Sequence, residues 1–201
     1  MQSSSLLRRG VLLEYATLAW NVVGTIIILN AAGRAGSAAL AGFGLDSAIE
    51  IFASVVVVWQ LKGVERGRES LALKLIGAAF IALAIYVLVQ SGWTLLVGTH
   101  PAPSPPGIAW LAVTCAIMAL LAWGKSITGR RLGNLVLITE ARVTLIDAAL
   151  AGAVLIGVGL NALLGWWWAD PLAGLVIVYY GLTEGRAAWK HASVTRSIIP
   201  R

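Results

Sequence analysis

Six apolar stretches, each close to the length needed to cross a lipid bilayer, take up most of this 201-residue chain. They run over about 11–31, 39–61, 71–97, 108–123, 135–160 and 171–189. A spanning helix needs roughly 20 mainly apolar residues. In lipid every backbone polar group must be satisfied within the structure, so runs of this length are read as helices. Composition agrees: 59% of residues are hydrophobic and 12% charged, whereas a soluble domain carries about 25% charged residues. The fold class is therefore all-α, a polytopic membrane protein with six transmembrane helices. A soluble core of this size could not hide so much apolar surface. Arg8 and Arg9 precede the first run, but that run is too long for a cleavable signal peptide and carries Glu14 and Asn21.

Charge placement orients the bundle. Lys and Arg concentrate in loops on the cytoplasmic side of membranes. Arg8, Arg9, Lys62, Arg66, Arg68, Lys74, Lys125, Arg130, Arg131, Arg186, Lys190, Arg196 and Arg201 fall on one side of the six spans, and Arg34 alone falls on the other. Both termini are thus expected in the cytoplasm, with residues 1–10 as an N-terminal segment, 11–189 as the six-helix domain and 190–201 as a short tail. The net charge of +6 becomes a topology signal and an anionic-lipid contact rather than a nucleic-acid surface. The outer loop 98–107 holds four prolines and reads as an extended connector between two three-helix halves. An odd number of helices gives those halves opposite topology, as in inverted repeats. Eight of the nine tryptophans fall at the two interfaces, Trp110 at the outer one, and Trp20 alone lies deeper. Cys115, the single cysteine, sits in an apolar run as a packing residue.

The residues that lipid rejects carry the functional information. Asp46 and Glu50 on the second span share a face at i, i+4. Glu140, Thr144 and Asp147 share a face of the fifth span, and Glu14, Thr17 and Asn21 form a similar stripe on the first. At ~1.5 Å per residue, Asn21, Glu50 and Asp147 fall near mid-bilayer. An ionised Asp at a helix centre costs roughly 2.5–3.5 kcal/mol against lipid, so three acids cost on the order of 8–10 kcal/mol. They must face the bundle interior. Lys125 reads as a loop residue between the fourth and fifth spans and Arg142 as nearer the cytoplasm, so no Lys or Arg is expected at their depth. Three acids without a fixed counter-charge imply a bound cation, bound protons, or exchange of the two. Glu14, Glu140 and Thr144 are candidates for the cation or proton path. Both histidines, His100 and His191, lie outside the spans, which leaves no nucleophile–histidine pair in the membrane and argues against an enzyme.

These stretches resemble the cation diffusion facilitator, or cation efflux, family. Residues 42–54 (Gly-Phe-Gly-Leu-Asp-Ser-Ala-Ile-Glu-Ile-Phe-Ala-Ser) are similar to its second helix, and 139–151 (Thr-Glu-Ala-Arg-Val-Thr-Leu-Ile-Asp-Ala-Ala-Leu-Ala) to its fifth. Residues 165–174 (Gly-Trp-Trp-Trp-Ala-Asp-Pro-Leu-Ala-Gly) look like the start of its sixth, and 13–21 fit its first. The resemblance implies a homodimer that exports Zn²⁺ or a similar divalent ion in exchange for protons, from the inner (plasma) membrane of a bacterial-type cell. Its tetrahedral site pairs two ligands four apart on helix two with two on helix five. Asp46 and Glu50 match the first pair and Asp147 the last position. Val143 stands at the remaining position, usually His or Asp, and cannot bind metal. Asn21, Glu140 or water would supply further ligands. An all-oxygen set weakens the preference for zinc and admits Mn²⁺, Fe²⁺, Co²⁺ or Mg²⁺. The cytosolic domain that usually follows helix six is not expected, so the chain looks like the short, transmembrane-only form. The alternative is a non-transporting, metal-binding or regulatory membrane subunit.

Overall fold

The structure is a computed structural model that describes residues 2–61, 68–133 and 135–198; side chains at 2–4, 53–61, 68–70, 72, 135–136, 139–140, 191 and 193–198 lie outside that description. The described residues form six helices: α1 (Gln2–Ala35), α2 (Ala38–Leu61), α3 (Arg68–Val97), α4 (Pro105–Leu132), α5 (Leu135–Leu164) and α6 (Ala169–Ile198). Four of them contain stretches long and apolar enough to cross a membrane, Ser5–Ala35, Leu73–Val97, Pro105–Leu132 and Ala141–Leu164. The surface is that of a protein in lipid. Val89, Leu120, Ile156 and Leu163 point outward, more than half exposed, while Asn21, Asp46, Thr144 and Asp147 are buried. This is an all-α integral membrane protein.

Helices α1, α2, α5 and α4 form a ring, each packed on the next, and α3 lies along α6 as a pair set against α2 and α5. Glycine permits one of these approaches. A Cβ on Gly157 of α5 would sit 2.3 Å from the Ala173 Cβ and 2.7 Å from the Ala169 backbone oxygen of α6. The core is apolar toward the end far from the termini, where Ile28, Leu40, Val87, Leu111, Val154 and Ile177 are fully buried. Buried polar side chains flank this core: Ser37, Ser104 and Asp170 at the far end, and Asn21, Asp46, Thr144 and Asp147 from mid-helix toward the end that carries the termini.

Helix ends follow local chemistry. Gly36, with φ 64°, turns the chain after α1, and its N–H bonds Ala32 O at 2.9 Å. The left-handed conformation there suits glycine. Ser104 caps α4 by accepting from Gly107 N, and Pro105 and Pro106 fill the first helical positions, where no N–H is needed. The proline-rich connector therefore ends three residues earlier than the sequence reading placed it. Its remainder is tied across the far end of the bundle. Ala102 N donates to Ala35 O at 2.8 Å, Asn161 Nδ2 donates to Pro101 O at 2.8 Å, and His100 stacks on Trp167. At its other end α4 continues nine residues past Trp123 and stops at Gly133, whose N–H returns to Arg130 O and Gly129 O. Trp110 does not serve as an interface anchor. It stacks on Trp20 at 4.6 Å inside the bundle, and Trp20 Nε1 donates to Thr114 Oγ1.

Asp170 organises the far end from a distance. Its carboxylate accepts from the Ser37 hydroxyl, from Ala38 N at 3.1 Å and from Ala39 N at 3.4 Å, while Ser37 Oγ accepts from Leu40 N. The first backbone donors of α2, which no intrahelical acceptor reaches, are thus capped by a side chain from α6. This cap fixes the helix that carries Asp46 and Glu50. Asp170→Ala strands these donors in a buried site and is expected to cost on the order of 2–4 kcal/mol. Thermal unfolding in detergent reads it; an unchanged midpoint would refute the role.

Candidate metal centre

Asp46 and Glu50 stand one turn apart on α2, and Asp147 faces them from α5. One carboxylate oxygen from each lies within 4.8 Å of the others, and this trio is the group among the described residues that could hold a metal ion. Asp46 is 3% exposed and Asp147 6%; Glu50 is half-buried. Asn21, on α1, donates its amide to Glu50 Oε2 at 2.7 Å, which leaves its carbonyl oxygen as the atom able to take a cation. The Glu50 and Asp147 carboxyl groups face each other across α2 and α5, with one oxygen of each inside the 4.8 Å cluster. Asp46 Oδ1 and Asp147 Oδ1 are buried and meet no hydrogen-bond donor among the described residues. Buried oxygens of this kind are normally satisfied. Hard oxygen donors grouped this closely suit a divalent cation.

Lys125 departs from the place its sequence context suggests. It is not a loop residue, and the carboxylates do not lack a cation at their depth. Lys125 lies on α4, fully buried, and its Nζ donates to Glu14 Oε2 at 2.9 Å and to Thr144 Oγ1 at 3.1 Å. Thr144 precedes Asp147 by three residues, about one helical turn. Two of the expected path residues, Glu14 and Thr144, are therefore joined across three helices by an ammonium group. The signal lay in Gly133: a glycine stop with Arg130 and Arg131 before it places the helix end well beyond Trp123. The third path residue, Glu140, is on α5 with its side chain outside the described residues. Arg142 points outward, exposed.

Two further α6 residues escaped the sequence reading. Tyr180 and Glu184, at i, i+4, lie within electrostatic reach of Asp46. A polar stripe in the last apolar run was the available signal. Val143, four residues before Asp147, is half-buried and brings no donor atom to the cluster.

Residues 14–194 match the family model for the cation efflux transmembrane domain. The chain belongs to the cation efflux family. It is also similar to the magnetosome protein MamB of Magnetospira sp. (strain QH-2), at 26% identity over 151 residues, which cover 70% of this chain and 51% of that protein. The chain spans about half the length of that curated relative. The match to the cation efflux family begins at Glu14 and takes in every residue of the cluster and Lys125.

Proposed function

We propose that this chain carries a divalent metal cation across the membrane, with Asp46, Glu50 and Asp147 holding the ion and Asn21 adding a neutral oxygen. One observation carries the reading: three carboxylates from two helices converge in the interior of a bundle whose outside is apolar. Such a cluster has no structural use that well-packed apolar side chains would not serve better. Members of the cation efflux family are transporters rather than enzymes. Zn²⁺ is the first candidate, with Mn²⁺, Fe²⁺ and Co²⁺ suited by the all-oxygen donor set. We place the termini in the cytoplasm of a bacterial-type inner membrane, and pair two copies through their membrane helices.

Protons are the proposed counter-ion. In this reading the clustered carboxylates carry protons when the cation is absent, and a divalent ion displaces those protons on binding. Binding the ion and releasing protons then become one event. Moving one charge against 100 mV costs roughly 2.3 kcal/mol, so exchange of one M²⁺ for two protons avoids the electrical work of export. Alternating exposure of the site to the two sides completes a cycle. In proteoliposomes of the purified chain, an imposed pH gradient is expected to drive Zn²⁺ flux several-fold above that of empty liposomes. Flux that ignores the gradient would remove proton coupling, and flux no greater than in empty liposomes would remove transport. Zn²⁺ binding without flux would favour a metal-binding subunit, the reading that Val143 supports.

A further inference from the structure

Lys125 has no part in the ion-holding cluster, yet it occupies a costly position. A fully buried ammonium needs compensation, and its two partners differ in kind. Glu14 lies toward the end carrying the termini, with 41% of its side chain exposed. Thr144 is buried, on the face of α5 that presents Asp147 one turn further in. The charge of Lys125 is also close enough to act on Asp147. The ammonium is thus held between an outlying carboxylate and the Thr144 hydroxyl, one helical turn from Asp147, on a flexible four-carbon stem.

We propose that Lys125 is a tethered substitute for the transported cation, a positioning residue that occupies the charge position beside Asp147 when the cluster is empty and is drawn off by Glu14 when the metal ion is bound. The inference rests on the transport reading above. It supplies something that reading lacks. Three clustered carboxylates attract a divalent ion strongly, and returning protons compensate them only once the ion has begun to leave. A neighbouring ammonium lowers the affinity and allows release. Glu14 sets how far that ammonium competes, and the Thr144 hydroxyl accepts it at the nearer position.

Opposite shifts from the two partners are the signature. Lys125→Met removes the competitor, so Zn²⁺ binding to the detergent-solubilised full chain is expected to tighten about tenfold, with KM and kcat for Zn²⁺ flux both falling. Glu14→Gln frees the ammonium to move inward, and Zn²⁺ affinity is expected to weaken about tenfold. The double variant Glu14→Gln/Lys125→Met leaves no orphaned charge and is expected to bind Zn²⁺ as tightly as Lys125→Met; it serves as the decisive variant if the single Lys substitution does not fold. A purely structural ion pair gives the other pattern. Both single changes then shift affinity in the same direction or leave it unchanged, and the double variant returns to wild-type values; either result overturns the proposal. Wild-type flux separates the two levels: a wild-type chain that moves Zn²⁺ while the shifts fail refutes Lys125 alone, whereas a wild-type chain that neither binds nor moves Zn²⁺ refutes both.

Discussion

Asp147→Asn is expected to cut metal flux about a hundredfold while leaving the protein at least as stable as wild type. The asparagine side chain keeps the shape and loses the charge. Removing one of three carboxylates from a divalent ion in the interior removes on the order of 3 kcal/mol of attraction, and each 1.4 kcal/mol is about a tenfold change in affinity. Stability moves the other way for the metal-free chain. Asp147 Oδ1 is buried without a donor among the described residues, and neutralising such a group relieves the desolvation cost of the charge. Loss of function with retained stability separates an ion-holding residue from a packing residue. Flux in proteoliposomes and thermal unfolding in detergent measure the two halves. Wild-type flux from the variant would remove Asp147 from the site.

Val143→His is the second large effect, and it is a gain. Val143 is four residues before Asp147, so both side chains leave α5 on one face. An imidazole there adds a nitrogen donor beside the carboxylates, and nitrogen ligands favour zinc over manganese. The preference for Zn²⁺ over Mn²⁺ in flux is expected to rise about tenfold or more. Competition between the two ions in the same liposomes reads it directly. An unchanged preference would mean that position 143 does not reach the ion.

The helices were legible because lipid imposes a length and a polarity that few other environments require. Asp46, Glu50 and Asp147 were legible for the same reason: an acid in an apolar run stands out, and helical spacing tells which acids share a face. What stayed hidden depended on contacts between distant parts of the chain. Asp170 reads locally as the first-turn acid of α6, and only the fold reveals that it caps α2, 133 residues away. Trp110 looks like an interface anchor until α1 brings Trp20 against it. Lys125 misled for a physical reason. A lysine shortly after an apolar run normally marks the membrane surface, and nothing in that segment shows that Glu14, 111 residues away, compensates its charge inside the bundle.

The convergence of three carboxylates on one divalent ion is tested most directly by counting bound metal. Purified chain equilibrated with Zn²⁺, dialysed and analysed for metal content should hold one ion per chain, and Asp46→Asn/Asp147→Asn prepared alongside should hold essentially none. Equal metal content in the two would contradict the assignment of the site.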